Sequence, residues 1–210
     1  MAAGFPADGA IVAVLQAYHE RNEAERAAPR VEAPGGRDGG QDFRMRAVSA
    51  QTGQLLNILA KSLKAPTMLE LGTSFGYSGL WLAEAARATG GRLVTMEKHD
   101  YKAEYARSMH QKAGLAAHVD YQVGDAVALT RALPGNVDFV FLDTWKDIYV
   151  DCLEAFYPKL NPGAIIVADN IIMPGTEEVK AYVRAIRAKE GITSVLLPVG
   201  SGIEVSRFRE

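Results

Sequence analysis

The chain has 210 residues, 48% of them hydrophobic, which is enough to build a substantial core. Its formal net charge of −2 gives no bulk attraction for nucleic acid or for an anionic membrane, so neither partner is expected. No apolar run approaches the roughly 20 residues that span a bilayer, and the N-terminus lacks the basic segment of a secretory signal. The single cysteine, Cys152, excludes an intramolecular disulfide and favours a reducing, cytoplasmic location.

The first third of the chain predicts two helices separated by a loop. Residues 8–28 form the first helix, with an apolar side built from Ile11, Val12, Val14, Leu15 and Tyr18. Pro29 to Phe43 are rich in glycine, proline and charge, and a mobile loop and a lid over a site are both open interpretations. Ser49 is the expected N-cap of a second helix, Ala50 to Lys64.

From Pro66 onward, short apolar runs alternate with helical patterns. The predicted strands are Thr67–Leu71, Arg92–Glu97, His118–Val123, Val137–Asp143, Ala164–Asp169, Thr193–Val199 and Gly202–Phe208. The predicted helices are Tyr77–Ala88, Tyr101–Ala113, Ala126–Leu133, Ile148–Lys159 and Thr176–Lys189. Repeated strand–helix units indicate a mainly parallel sheet covered by helices on both faces.

The predicted fold is therefore α/β and Rossmann-like: a doubly wound, mainly parallel sheet of seven strands. Gly200-Ser201-Gly202 is a short glycine-rich link, so the last two strands should form a hairpin and the final strand should run antiparallel. One domain is expected over residues 1–210. Residues 1–48 would supply the N-terminal helix and the lid segment, and residues 49–210 the ligand-binding core.

Two strands are followed at once by polar residues that a buried strand does not need. "FLDTWKD" brings Asp143, Trp145 and Lys146 after the fourth strand, and "VADN" brings Asp169 and Asn170 after the fifth. Ligands of open parallel sheets bind beyond the carboxyl ends of the strands. Taken singly, these residues are better explained as strand ends and turn formers. Taken together, they indicate a site.

Glycines and acids close the first three strands. Gly72, Gly76 and Gly79 follow the first strand with a spacing that differs from the G-x-G-x-x-G of dinucleotide-binding proteins. Glu97 ends the second strand, where a carboxylate can accept both hydroxyls of a ribose. Asp125 follows the third strand, where it can accept from an adenine amine.

These segments resemble the class I S-adenosylmethionine-dependent methyltransferases, through "ELGTSFGYS", the acid of "TMEKH" and "GDA". With "FLDTWKD" and "VADN", the resemblance narrows to the small cation-dependent O-methyltransferases, the group that contains catechol and caffeoyl-CoA O-methyltransferases. It runs from about Val48 to the C-terminus.

The resemblance implies a role for each matching residue. Val48, Glu70, Gly72 and Ser78 should surround the methionine part of S-adenosylmethionine, and Glu97 should hold its ribose. Asp125, Ala126 and Trp145 should lie around the adenine. Asp143, Asp169 and Asn170 should bind a divalent cation, Mg²⁺ or another such as Mn²⁺, and Lys146 should be the general base.

The expected reaction is methyl transfer to one hydroxyl of a small aromatic vicinal diol. A hard cation bound by oxygen ligands suits deprotonation of such a diol. Three alternatives are a nicotinamide-dependent oxidoreductase on a similar sheet, a catalytically silent adenosyl-binding module, and N- or C-methylation, which would not need the cation. The chain is expected to act as a monomer or a homodimer.

The sequence departs from the animal catechol O-methyltransferases at two places. Arg44 and Arg46 stand where those enzymes carry a tryptophan and a methionine, and Leu197–Val199 replace the region of a glutamate that holds the second hydroxyl. The two arginines are either solvated ends of a loop or contacts for a carboxylate or phosphate tail of the acceptor, alongside Lys146 and Asn170.

Overall fold

A seven-stranded mixed sheet forms the centre of the protein, with strand order β3-β2-β1-β4-β5-β7-β6. The structure, a computed structural model, describes residues 8–28 and 41–209. Strands β1 to β5 pair in parallel, whereas β7 is antiparallel to both β5 and β6. The predicted fold class and the antiparallel final strand are confirmed.

The strands are β1 Thr67–Leu71, β2 Arg92–Glu97, β3 Val119–Val123, β4 Val137–Leu142, β5 Leu160–Ala168, β6 Ile192–Leu197 and β7 Ile203–Phe208. The helices are α1 Gly9–Ala27, α2 Ala50–Lys61, α3 Tyr77–Thr89, α4 Asp100–Lys112, α5 Ala126–Ala132, α6 Tyr149–Phe156 and α7 Glu177–Ala188. Short 3-10 turns cover Ala116–His118, Lys146–Ile148 and Tyr157–Lys159. Among the described residues, no helix combines the length and apolarity needed to cross a membrane.

Alternating side chains divide the core into two layers, one on each face of the sheet. Along β1, Met68 packs with the apolar residues of helices α1 to α4, while Leu69 and Leu71 pack with those of α6 and α7. This two-residue period is the property of a strand buried on both faces. It also sends Glu70 to the face that carries α3, which decides its environment.

One helix is held by the cap that the sequence predicts, and another by a tertiary contact. The Ser49 hydroxyl accepts from the backbone N–H of Thr52, as expected for the N-cap of α2. Helix α1 is anchored on the rest of the fold by the buried Tyr18, whose hydroxyl donates to the Phe75 carbonyl at 2.6 Å. That contact places α1 beside the loop that follows β1.

Several predicted boundaries were wrong, each for a local reason. Helix α2 ends at Lys61, where the N–H groups of Ser62 and Leu63 bond to carbonyls three residues back and tighten the last turn. Strand β5 begins at Leu160, four residues early, because Leu160 pairs with Val137 ahead of a register shift that ends at Ile165. The helix predicted to run to Lys159 gives way to a 3-10 turn at Pro158.

Smaller corrections affect the ends of the other elements. His118 belongs to a 3-10 turn before β3, and Asp143 and Asp169 lie one residue beyond β4 and β5. Strand β6 starts at Ile192 and ends at Leu197, before Pro198. Of the predicted loop, residues 29–40 lie outside the described residues.

Candidate active site

A cavity of about 650 Å³ opens at the carboxyl ends of the central strands. This is the sheet edge at which parallel α/β proteins bind ligands. Among its lining residues are Arg46, Val48, Gly72, Glu97, Asp125, Ala126, Asp143, Trp145, Lys146, Asp169 and Asn170, which the sequence had singled out. Arg44, Glu70 and Ser78 are predicted site residues that do not line it.

Gly72 allows the loops after β1 and β4 to touch. Its φ of +107° disfavours any side chain, and a Cβ built on it would lie 2.0 Å from the carbonyl oxygen of Asp143. Its N–H donates to the Met96 carbonyl at 3.0 Å, which ties the loop to β2 as well. The glycine therefore joins three strand ends at the cavity floor.

Glu97 is fixed at the end of β2 by two backbone donors. Its Oε2 accepts from the N–H of Ser74 at 2.8 Å, and its Oε1 accepts from the N–H of His99 at 3.1 Å. The residue is only 9% exposed, yet it lines the cavity. A carboxylate fixed in this orientation can accept hydrogen bonds from two neighbouring hydroxyls, as the predicted contact with a ribose requires.

Asp125, Ala126 and Trp145 lie on the walls of the same cavity. Asp125 is the N-cap of α5, and its Oδ1 accepts from the N–H of Ala128 at 2.8 Å. The indole of Trp145 is partly exposed beside it. Asp125 thus has a structural role in addition to the adenine contact that remains a prediction.

Lys146 is held against Asp143 by a set of oxygen atoms. Its Nζ lies 3.0 Å from Asp143 Oδ1, 2.9 Å from the Thr144 carbonyl and 2.7 Å from the hydroxyl of Tyr149. The 3-10 turn that starts at Lys146 brings the side chain back over the end of β4. The reach predicted from the three-residue spacing is confirmed.

Tyr149 connects the two strand ends beneath Lys146. Its buried hydroxyl lies 3.3 Å from the Leu142 carbonyl and 3.2 Å from the Asp169 carbonyl, so it can donate to either. Burial raises the pKa of this phenol well above its usual value. Tyr149 therefore remains neutral, donates to a backbone carbonyl and accepts from Lys146, which it positions.

Asp169 and Asn170 form the second half of the polar cluster. Ser201 from the β6–β7 link donates to Asp169 Oδ1 at 2.7 Å and accepts from Asn170 Nδ2 at 3.0 Å. Asn170 has a φ of 63°, a left-handed conformation that asparagine tolerates better than most residues. Burial, and then the nearby Asp143 carboxylate, raise the pKa of Asp169 to about 6.

The donor set at this end of the cavity fits a hard divalent cation. Asp143 and Asp169 are carboxylates close enough to repel each other, and a cation between them would relieve that repulsion. Because Asn170 Nδ2 is bound to Ser201, the amide oxygen is the atom left for a ligand. Within residues 8–28 and 41–209, no three His, Cys, Asp or Glu side chains are grouped as metal ligands, so Asn170 would have to complete the set.

Glu70 and Ser78 lie beneath the glycine loop. Glu70 Oε1 accepts from the Ser78 hydroxyl and its Oε2 from the Thr95 hydroxyl, both at 2.6 Å. Complete burial raises the pKa of Glu70 to about 7. The predicted contact of these two side chains with the cofactor stays a prediction, whereas their support of the loop is visible.

Arg44 and Arg46 share one acidic partner. Both guanidinium groups bind the buried carboxylate of Asp42, Arg44 through two hydrogen bonds of 2.9 Å and Arg46 through two of 2.9 and 2.8 Å. Hydrogen bonds from Arg44 hold the pKa of Asp42 well below its usual range. Arg46 reaches the cavity wall, and Arg44 does not.

Sequence reasoning missed Tyr149 and Ser201. Tyr149 follows Lys146 by three residues, a spacing that places two side chains on one side of a helical turn and could have indicated the contact. Ser201 comes from a hairpin 32 residues after Asp169, and no local signal connects the two.

Comparisons with known proteins identify the family. The family described as "O-methyltransferase" matches residues 40–208. The chain belongs to this family. The predicted resemblance is thereby confirmed, and nothing in the match supports the nicotinamide-dependent alternative.

Curated relatives of this family member include a catechol O-methyltransferase of Mycobacterium tuberculosis, 41% identical over 130 residues that cover 61% of this chain and 59% of the relative. A caffeoyl-CoA O-methyltransferase of Eucalyptus globulus is 29% identical over 187 residues, 79% of this chain and 76% of the relative. The chain spans about three fifths of the length of the first of these.

Solved structures show the same fold. An O-methyltransferase of Streptomyces achromogenes involved in tomaymycin synthesis, in complex with S-adenosylmethionine, superposes with a TM-score of 0.75 and 28% identity, over 98% of this chain and 92% of that one. An O-methyltransferase of Bacillus cereus in complex with S-adenosylhomocysteine gives 0.74 and 25%, over 98% and 93%.

Proposed function

We propose that this protein transfers a methyl group from S-adenosylmethionine to one hydroxyl of a small aromatic vicinal diol, with the help of a divalent cation such as Mg²⁺. The observation that carries the proposal is the sharing of one cavity by two residue sets. Gly72 and Glu97 form the half that would bind the cofactor. Asp143, Lys146 and Asp169 form the half in which the hydroxyl of the diol would be deprotonated.

The cofactor half orients one substrate through backbone and carboxylate groups. S-adenosylmethionine supplies a methyl group on a positively charged sulfur. Glu97, fixed by the N–H groups of Ser74 and His99, is placed to accept from the ribose hydroxyls. Gly72 leaves the main chain open to close approach. Holding the two reactants in line can supply roughly 7–11 kcal/mol of the barrier.

Asp143, Asp169 and Asn170 would hold the cation through two carboxylates and one amide oxygen. A divalent cation at this point supplies positive charge that acidifies a bound diol and fixes its orientation. Ser201 keeps both Asp169 and Asn170 in position by bonding to each of them. The loop that carries Ser201 thereby becomes part of the site.

Lys146 is the group that takes the proton of the attacking hydroxyl. Its Nζ lies at the cavity wall, and Asp143, Thr144 and Tyr149 leave it little freedom to turn away. Tyr149 in turn is fixed by the carbonyls that end β4 and follow β5. General-base catalysis of this kind contributes typically about 10² to 10⁴-fold to the rate.

The proposal is tested by methyl transfer from labelled S-adenosylmethionine to three phenols with Mg²⁺ present: catechol, its 1,3-diol isomer and phenol. We expect transfer to catechol alone, because only vicinal oxygens can meet both the cation and Lys146. Lys146→Met should abolish most of it, and Lys112→Met, an exposed change on α4, should not.

Two results would contradict the proposal in different ways. Cofactor binding without transfer to any of the three phenols would make the chain a silent adenosyl-binding module. Equal transfer to catechol and to phenol would show that the enzyme does not require a vicinal diol, and it would contradict the proposed role of the paired carboxylates.

A further inference from the structure

Lys102 is a buried lysine that lines the cavity, and within the described part of the chain it has no recorded hydrogen-bond acceptor. It lies in the first turn of α4, is 7% exposed, and lines the cavity wall. Among the described residues, its ammonium has one recorded contact, the ring of Phe75 with its centroid 5.6 Å away. Desolvation lowers its pKa, and no hydrogen bond opposes that effect. Its Nζ is open to the cavity rather than sealed in the core, and an anion in the cavity would be its natural partner.

The two acids that act on Lys102 are engaged elsewhere. Asp42 accepts four hydrogen bonds from the guanidinium groups of Arg44 and Arg46. Glu97 accepts from two backbone N–H groups and faces the proposed ribose position. Both lower the electrostatic penalty on Lys102 without forming an ion pair with it.

Further positive charge collects at the same end of the cavity. Arg46 lines the wall and is one of the charges that act on Lys102, and Arg26 from the last turn of α1 lines it as well. The N-terminus of the 13-residue helix α4 adds its partial positive charge nearby. Of the acids that line the cavity, Glu97 is the one that acts on Lys102 among the described residues.

We propose that Lys102 and Arg46 form an oxyanion subsite that receives the carboxylate or phosphate tail of the methyl acceptor. The inference rests on the proposed function, because the acceptor's diol would occupy the Asp143–Lys146 end of the same cavity. Of the two arginines predicted to contact the acceptor, Arg46 belongs to this subsite. Arg44 binds Asp42 outside the cavity, and Lys102 supplies the second positive charge in its stead.

The test measures binding as well as turnover. Caffeate and its uncharged methyl ester are titrated by calorimetry into the full-length protein loaded with S-adenosylhomocysteine and Mg²⁺. Wild type should bind caffeate about 10-fold to 100-fold more tightly, the range for one charge-assisted hydrogen bond. Lys102→Met should bring the ratio of the two dissociation constants close to one. Lys102→Arg should keep it above one, and the exposed Lys112→Met on the same helix should leave it at the wild-type value.

A second arm separates an acceptor tail from a free anion. Inorganic phosphate, added at ionic strength matched with chloride, should compete with caffeate and not with the methyl ester. Competition against both ligands would assign the site to a free anion, and it would contradict the proposal that the site binds the acidic tail of the acceptor. An equal affinity of wild type for caffeate and ester would overturn the subsite.

The outcome is distinguishable from failure of the proposed function. Absence of methyl transfer to either compound would contradict O-methylation of diols, while the caffeate-to-ester ratio would still decide whether Lys102 binds an oxyanion. Transfer to both compounds with a ratio near one would retain the reaction and remove the subsite.

Discussion

Glu70→Gln tests how the buried layer beneath the glycine loop is built. The folded protein raises the pKa of Glu70 to about 7, against an ordinary value of 4.5. Since one pKa unit is worth 1.36 kcal/mol, this difference corresponds to about 3 kcal/mol of folding free energy. Burial is the largest cause, and the hydrogen bonds from Ser78 and Thr95 offset only part of it.

The sign follows from proton binding in the two states. Between pH 4.5 and 7 the folded protein holds the Glu70 proton more tightly than the unfolded chain does. The stabilising contribution of protonated Glu70 is therefore complete below pH 4.5 and is lost as the pH rises through 7. Glutamine imitates the protonated acid, with an NH₂ group that donates and a carbonyl oxygen that accepts, and it does not ionise.

Urea unfolding of the cofactor-free protein at several pH values provides the measurement. We expect the free energy of unfolding of Glu70→Gln, relative to wild type, to rise by about 3 kcal/mol between pH 4.5 and 8. Taking the difference removes the opposite effect of His110, whose pKa burial lowers to about 4. Glu104→Gln on the exposed side of α4 is the control and should follow wild type. A difference that does not change with pH would refute the account of a neutral buried Glu70.

Three further variants probe the site. Lys146→Arg should lower kcat by about 10² to 10⁴-fold with cofactor affinity unchanged, because guanidinium stays protonated; a wild-type kcat would contradict the base assignment. Glu97→Gln should weaken S-adenosylmethionine binding in calorimetry by about 10-fold or more, since each hydrogen bond to a charged group is worth roughly 1.5–3 kcal/mol; unchanged affinity would remove it from the site. Gly72→Ala should lower the melting temperature, because its Cβ meets the Asp143 carbonyl, whereas Gly135→Ala, which meets nothing, should not; equal effects would refute that contact.

Strand-end chemistry was predictable because it is encoded locally. Asp143 and Asp169 each follow an apolar run directly, and the carboxyl ends of parallel strands share one edge of the sheet. The i,i+3 spacing from Asp143 to Lys146 then suffices to bring the ammonium within 3.0 Å of the carboxylate. The same locality explains why Ser49 was correctly predicted as an N-cap.

Contacts between distant segments could not be predicted in this way. Whether Glu70 enters the cavity or lies under it depends on how closely α3 packs on β1 at Gly79, where an added Cβ would lie 2.9 Å from the Glu70 carboxylate. The position of Arg46 depends on its hydrogen bonds to Asp42, and Asp42 is itself bonded to the hydroxyl of Tyr101, 59 residues further along the chain. Sequence patterns predict which side of a helix or strand is buried. They do not predict which residues of distant elements come into contact when those elements pack.

The most direct measurement is the initial rate of methyl transfer to catechol as a function of free Mg²⁺ concentration. The account predicts that the rate saturates with Mg²⁺, that turnover stops after chelation, and that it recovers when Mg²⁺ is restored. Without the cation, the site of Asp143, Asp169 and Asn170 lacks the positive charge that acidifies the diol. Asp169→Ala should require more Mg²⁺ and reach a lower maximum. Full turnover of the wild-type protein in metal-free buffer would contradict the central claim.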